Sequence, residues 1–135
     1  MTTKSKKAGT KEAAFDFRTI KGFEDACKKE NIDPTKLPDV SMIPEEFRKP
    51  LLAVYKIMIG YKAVNNGWKV DYGNTNQLKY FPWARVLSSG FGFSYSCSDY
   101  DFAFTSVGSR LCTDESDKAE HIFVNFNQEY KYFWL

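Results

Sequence analysis

Apolar residues recur at helical spacing near the start of the chain. Phe23, Ala26 and Cys27 stand three and four positions apart, so they share one face of a helix. Asn31 is a typical helix end, because asparagine tolerates the left-handed backbone conformation that often follows a last turn. We therefore predict a short helix over about residues 22–30.

A longer apolar segment follows a proline-containing linker. Pro50 lacks a backbone N–H and would clash with a preceding turn, so we predict a short helix over 44–48 and a break or kink before a main helix over 50–65. Asn66 and Gly67 supply its C-terminal stop. Apolar residues cover most of its circumference, so we expect this helix to be central and buried on several sides.

A third helical pattern covers residues 114–133, with Thr113 or Asp114 as its cap. Its polar residues form the opposite face, which predicts an amphipathic helix that docks on a sheet. The apolar stripe consists of Ala119, Ile122, Phe123, Phe126, Tyr130, Phe133 and Trp134.

Between the helices, apolar and polar residues alternate, as is typical of strands. This pattern predicts strands at 68–72, at 78–86 and at 107–112. Pro82 cannot donate to a ladder, so the second of these is interrupted or lies at an edge. An aromatic alternation further predicts a hairpin of residues 91–96 and 100–105 that turns at Ser98-Asp99.

The element order is α-α-β-β-β-β-α, which predicts an α+β fold. Consecutive strands favour a small, mainly antiparallel sheet of three to four strands, packed against two long helices and a short N-terminal helix. The length of 135 residues fits one domain over residues 15–135. Residues 1–14 are cationic and poor in apolar side chains, which predicts a disordered basic tail.

Composition narrows the range of functions. The net charge of +2 comes from the tail, and the rest of the chain is nearly neutral, which disfavours a body that binds duplex nucleic acid. Three cysteines without C-x-x-C spacing disfavour a disulfide framework and a zinc site. No apolar run could span a bilayer, and no secretory signal is present, so we expect a cytoplasmic protein that binds no membrane.

No catalytic residue, metal site or cofactor is predicted. Asp71, Asn74 and Asn76 could offer oxygens to a cation, but they do not match the calcium-loop pattern and are better explained as a polar turn. The single histidine, His121, has no partner at ligand or catalytic spacing.

An aromatic cluster around a proline is the preferred contact region. Tyr80, Phe81 and Trp83 cannot all point inward around Pro82, so one or two of them are expected to be exposed. An exposed aromatic residue near Arg85 is typical of a protein-binding hot spot. We therefore predict a partner-binding surface at Tyr80, Phe81, Trp83 and Arg85.

Four runs of sequence carry a resemblance to a known group of proteins: IDPTKLPDVSMIPEEFRKPLLAVYK, NNGWKVDYGNTNQLKYFPW, SGFGFSYS and VGSRLCTDESDKAE. The chain resembles, over about residues 20–135, small uncharacterised proteins of gut Bacteroidales and of their phages and mobile elements, including crAss-like phages. The resemblance implies a mobile-element context, in the host cytoplasm or a virion. It implies no reaction, cofactor or site residue.

Three function hypotheses follow. The first is a non-enzymatic interaction protein of phage or mobile-element origin that binds a protein partner. The second is a nucleic-acid accessory protein that uses exposed aromatics and the basic tail residues Lys4, Lys6, Lys7 and Lys11. The third is a small-ligand binder or enzyme with a pocket between sheet and helices.

Overall fold

The structure, a computed structural model, describes residues 14–82, 85–87, 90–92, 98–101 and 110–135, with side chains for 14–82 and 110–135. These residues are mostly helical. A 3-10 turn at Phe17–Thr19 precedes the first helix. The α-helices are α1 (Phe23–Glu30), α2 (Glu45–Asn65), α3 (Ser116–Asn125) and α4 (Asn127–Trp134).

The first helix agrees with its prediction. Asn31 follows α1 in the left-handed conformation, with φ 56°, and its backbone N–H donates to the carbonyls of Cys27 and Lys28. Ala26 and Cys27 are both buried. Helical spacing and the asparagine stop were therefore sufficient to locate this element.

The predicted separate helices on either side of Pro50 are wrong, because α2 is one continuous helix with Pro50 inside it, while the alternative of a kink stays a prediction. In an α-helix the N–H of residue 50 would bond to the carbonyl of residue 46, so proline removes one bond close to the helix start. Glu46 is exposed there, where water can satisfy that carbonyl. The predicted stop is confirmed, since Asn66 and Gly67 have φ values of 45° and 92°.

The predicted single helix over 114–133 is also wrong. The chain turns at Phe126, whose φ and ψ are −116° and 27°, and this turn separates α3 from α4. The Phe126 N–H still donates to the Ile122 carbonyl, and the Tyr130 N–H to the Phe126 carbonyl. The interruption therefore costs few hydrogen bonds, and it falls where Phe126 is fully buried.

The core lies between α2 and the α3–α4 pair, with α1 on the other flank of α2. The hydroxyls of Tyr61 and Tyr130 hydrogen-bond at 2.6 Å inside it. The buried residues of this cluster are Ile20, Ala26, Ile57, Tyr61, Ala63, Val64, Ile122, Phe123, Phe126 and Tyr130.

Gly60 allows α2 to approach the turn between α3 and α4. A Cβ added at Gly60 would lie 2.6 Å from Cζ of Phe126, which is closer than carbon atoms can pack. The absence of a side chain at this one position therefore lets the Phe126 ring rest on the α2 backbone.

We expect Gly60→Ala to lower the free energy of unfolding by about 1–3 kcal/mol, because overpacking outweighs the gain of up to about 1 kcal/mol in helix propensity. Urea unfolding measures the difference, with Met58→Ala on the exposed side of α2 as the control. A Gly60→Ala protein more stable than the wild type would show that the Phe126 ring moves aside freely.

The strands are short and pair two by two. β1 (Lys79–Pro82) pairs antiparallel with β4 (Ser98–Asp101), and β2 (Arg85–Leu87) pairs antiparallel with β3 (Gly90–Gly92). The second pair is thus nested within the first along the chain. Tyr80 also forms an isolated bridge with Thr113, through two backbone hydrogen bonds of 2.9 Å.

The predicted hairpin is wrong in its pairing. Ser98 and Asp99 lie inside β4 rather than at a turn, and their partners in β1 are Pro82 and Phe81. Local alternation identifies a strand but does not identify its partner, which here comes from about twenty residues earlier. Segments 93–97 and 102–109 of the prediction lie outside the described residues.

The predicted strands at 68–72 and 107–112 are not strands where the structure describes them. Residues 68–72 are a loop and turn, and the Gln77 carboxamide accepts from the Asp71 N–H at 2.7 Å and donates to the Lys69 carbonyl at 3.2 Å. One side chain therefore supplies the hydrogen bonds that a neighbouring strand would have made. Residues 110–112 are turn and coil.

The predicted fold class is consequently wrong. The part of the chain that the structure describes is mainly helical, with four α-helices, and contains only two-stranded ladders in place of a sheet of three to four strands. The apolar faces of the helices pack on one another rather than on a sheet. The division into a tail, 1–14, and a domain, 15–135, stays a prediction.

Candidate functional site

One face of α2 is apolar and exposed. Phe47, Leu51 and Met58 are separated by four and seven residues, which places them on one side of a helix, with half-buried Val54 between them. Their exposed fractions are 53%, 43% and 37%. We call these four residues the outer face of α2. The prediction that α2 is buried on several sides holds for its other sides, which contact α1, α3 and α4.

The turn that precedes α2 exposes a further apolar side chain, that of Met42. Met42 is 93% exposed. Arg48 holds its turn in place, since its Nε donates to the Ile43 carbonyl at 2.7 Å and its guanidinium donates to the Ser41 carbonyl at 3.1 Å. Two hydrogen bonds therefore stabilise a turn in which the Met42 side chain is exposed to solvent.

A cleft opens at the C-terminal end of the outer face. Its volume is about 880 Å³, and Met58 and Lys62 of α2 form the edge next to that face. We call it the α2 cleft. Its other walls are the end of α1, the turn after α2 and the segment at 110–112.

The α2 cleft is cationic. Lys29, Lys62, Lys69 and Arg110 line it, against one carboxylate, Glu30. The Glu30 carboxylate lies 3.3 Å from the Lys29 ammonium and 3.9 Å from that of Lys62. Within the described residues, Lys69 and Arg110 form no ion pair.

The inner wall of the cleft is aromatic and amide-lined. Tyr61 is buried, while Trp68 and Tyr72 are half-buried. The Asn65 Nδ2 donates to the Cys112 carbonyl at 2.9 Å. The Asn65 Oδ1 is buried and has no hydrogen-bond partner among the residues described, which leaves one acceptor unused at this wall.

The cysteine of the cleft is not an activated nucleophile. Burial raises the pKa of the Cys112 thiol, although its hydrogen bond with Tyr72 and the nearby Lys79 charge act in the opposite direction. Burial also raises the pKa of Cys27, with Asp33 and Glu24 adding to the effect. Both thiols are therefore protonated at neutral pH, and a thiol is a poor nucleophile.

The loop that contains Asp71, Asn74 and Asn76 is a polar turn. The Asp71 and Asn74 side chains accept from the backbone N–H groups of Gly73 and Asn76 at 2.9 and 3.0 Å. The ammonium of buried Lys79 donates to the Asn74 and Gln77 carbonyls at 3.2 and 2.8 Å. The cation that these loop carbonyls bind is therefore the ammonium group of Lys79.

His121 joins two elements, and it also lines a shallow groove of about 310 Å³ between them. Its Nε2 lies 2.6 Å from the Ile20 carbonyl, so this nitrogen carries a proton and donates it. Its ring packs edge-on against Phe17 at 5.4 Å, and Asn125 Nδ2 lies 3.3 Å from Nδ1. These contacts attach the segment before α1 to α3.

Three of the four predicted contact residues, Tyr80, Phe81 and Arg85, lie on strands. Tyr80 and Phe81 are half-buried in β1. Arg85 begins β2, with its side chain outside the described set, and Trp83 lies outside the described residues. The structure therefore does not test this contact region, and it stays a prediction. The tail residues Lys4, Lys6, Lys7 and Lys11 also lie outside the described residues.

Sequence reasoning missed both the outer face and the α2 cleft. The spacing of Phe47, Leu51 and Met58 was visible, but α2 is apolar on nearly every side, so the pattern could not show which side stays in water. The cleft residues are spread from Lys29 to Arg110 without a motif. Only the fold brings them together.

No helix in the described ranges is long and apolar enough to cross a membrane. No protein-family model, no curated protein and no solved structure matches this chain. The candidate site is therefore argued from the geometry and chemistry of the chain itself.

Proposed function

We propose that this protein is a non-enzymatic binding protein that docks a protein partner on the outer face of α2. The observation that carries the proposal is the row of exposed side chains, Phe47, Leu51 and Met58, on one side of a single helix. Contiguous exposed apolar surface is typical of interaction sites.

The helix that bears this face is well anchored. Its opposite sides pack on α1 and α4, and the Tyr61–Tyr130 hydrogen bond fixes it to α4. A rigid surface loses little conformational entropy on binding, so more of the contact energy appears as affinity. An apolar row at helical spacing fits a groove or a second amphipathic helix on the partner.

The setting of this activity is also part of the proposal. The resemblance to proteins of Bacteroidales phages and mobile elements supports a phage or mobile-element origin. It further supports a cytoplasmic location, in the host cell or in a virion. Cys27 and Cys112 are free and buried, which is compatible with a reducing compartment.

We expect the double variant Phe47→Ser, Leu51→Ser to fold as the wild type does but to lose its partner. Affinity-tagged proteins would be expressed in the natural host, and co-purified proteins quantified by mass spectrometry. Central apolar anchors contribute about 2 kcal/mol or more each, so the loss of two should weaken the affinity for a specific partner by about a thousandfold and reduce its recovery accordingly.

Val124→Ser is the matched control, because Val124 is 66% exposed on α3, away from the outer face. Circular dichroism and thermal unfolding would establish that both variants are folded. A partner that the double variant retains at wild-type levels would refute the outer face as the docking surface. The strand region around Tyr80 would then be the remaining predicted contact.

A further inference from the structure

We propose that the α2 cleft binds a nucleotide, meaning a small molecule that joins a phosphate group to a planar ring. This inference goes beyond the docking of a protein partner and concerns the adjoining cleft, which shares Met58 with the outer face of α2. The proposal is based on the charge of the cleft, its aromatic wall, its position at the C-terminal end of α2 and its size.

The excess of positive charge in the cleft favours an anionic ligand. Four cations face one carboxylate, and the Lys29 and Lys62 ammonium groups share that carboxylate of Glu30. Lys69 and Arg110 make no ion pair with a described residue. A phosphate can recruit both without breaking an ion pair among the described residues, and guanidinium groups bind phosphate in a bidentate manner.

The C-terminal end of α2 indicates how the phosphate and the ring of the ligand are oriented in the cleft. A helix C-terminus carries a partial negative charge, so it disfavours a phosphate and favours N–H donors. The phosphate therefore belongs on the side of Lys69 and Arg110, and a ring with N–H groups belongs beside α2.

The walls and the volume suit a ring as well as a phosphate. Trp68 and Tyr72 are half-buried in the wall, and stacking of a base on such a side chain contributes about 1–3 kcal/mol in nucleic-acid-binding proteins. A volume of about 880 Å³ lies within the range of small-molecule pockets. It is much larger than an inorganic phosphate ion requires.

The test is displacement of a fluorescent ATP analogue from the full-length protein at low ionic strength. The competitors are ATP, GTP, adenosine and inorganic pyrophosphate. We expect ATP or GTP to compete at least about tenfold more strongly than adenosine and pyrophosphate, because only a nucleotide uses both parts of the cleft.

Two double variants separate the cleft from general electrostatic attraction. Lys69→Ala, Arg110→Ala should weaken nucleotide binding by about tenfold or more, since each charge-assisted contact is lost. Lys28→Ala, Lys36→Ala removes the same charge from exposed positions outside the cleft and should change the affinity less than twofold. Trp68→Leu should weaken binding of nucleotides but not of pyrophosphate.

Three results would overturn the proposal. The first is no displacement by millimolar ATP or GTP. The second is equal binding of pyrophosphate and nucleotide, which would leave no role for a ring. The third is an equal loss of affinity in the two double variants, which would assign the binding to net charge rather than to the cleft.

Discussion

Replacing Phe126 with alanine is expected to lower the free energy of unfolding by about 3–5 kcal/mol, the range typical of a fully buried phenylalanine. Phe126 has no exposed surface, and its ring rests on Gly60 of α2. A glycine offers no side chain that could move into the space left by the ring. The cavity therefore remains open, and the cost should fall toward the upper end of the range.

Urea unfolding followed by circular dichroism measures this difference. Val124→Ala is the control, because Val124 stands two positions earlier in α3 and is 66% exposed, so its substitution should change the stability by about 0.5 kcal/mol or less. A loss below about 1 kcal/mol for Phe126→Ala would contradict the packing of α2 on the turn between α3 and α4.

The second large effect concerns the buried pair of tyrosine hydroxyls. Tyr61→Phe or Tyr130→Phe removes one hydroxyl and leaves the other buried without its partner, which costs about 1–3 kcal/mol. Replacing both removes the unsatisfied group as well. We therefore expect the double variant to be more stable than the sum of the two single effects predicts.

The same pair should destabilise the protein at alkaline pH. Burial raises the pKa of Tyr61, with Tyr130 adding to the effect, and burial also raises the pKa of Tyr130. In the unfolded chain both hydroxyls ionise near pH 10, while the folded protein keeps its protons. The free energy of unfolding should therefore fall as the pH rises above about 10, by about 1.4 kcal/mol per pH unit for each tyrosine.

Unfolding curves between pH 8 and 12 test both expectations. The double phenylalanine variant should lose less stability over this interval than the wild type. Tyr132→Phe is the control, because Tyr132 is 37% exposed on α4. Two results together would contradict this account of the buried pair. They are that the effects of the single variants on the free energy of unfolding add up to that of the double variant, and that this free energy falls equally steeply with pH in all variants.

The helix positions were largely predictable, because their signals are local. Asn31 and Asn66 end α1 and α2 in the left-handed conformation, as their identity suggested. The errors at Pro50 and Phe126 have a tertiary cause. A proline near an exposed helix start removes one backbone hydrogen bond, which a bond to water replaces. The turn at Phe126 allows its ring to pack against Gly60, which is 66 positions away in sequence.

The strands were less predictable, because pairing is not local. Alternating aromatics indicated a hairpin around Ser98, but β4 pairs with β1 instead. The loop at 68–72 had the alternation of a strand, yet Gln77 satisfies its backbone. A side chain that replaces a strand partner leaves no periodic signal in the sequence.

The candidate site was the least predictable part. The outer face of α2 depends on where α1 and α4 pack, and the cleft depends on Lys29, Lys69 and Arg110 meeting in space. The third function hypothesis placed a pocket between sheet and helices, whereas the structure forms its cleft at the end of α2.

The hydrogen bond between Tyr61 and Tyr130 also has a consequence for folding kinetics. It closes a loop of 69 residues, whereas α1 and α2 need to close only the linker 31–44. Loop-closure entropy makes the longer closure costlier by about 1.4 kcal/mol, which corresponds to about a tenfold slower encounter. The α1–α2 hairpin should therefore assemble first and serve as the template on which α4 docks to complete the transition state.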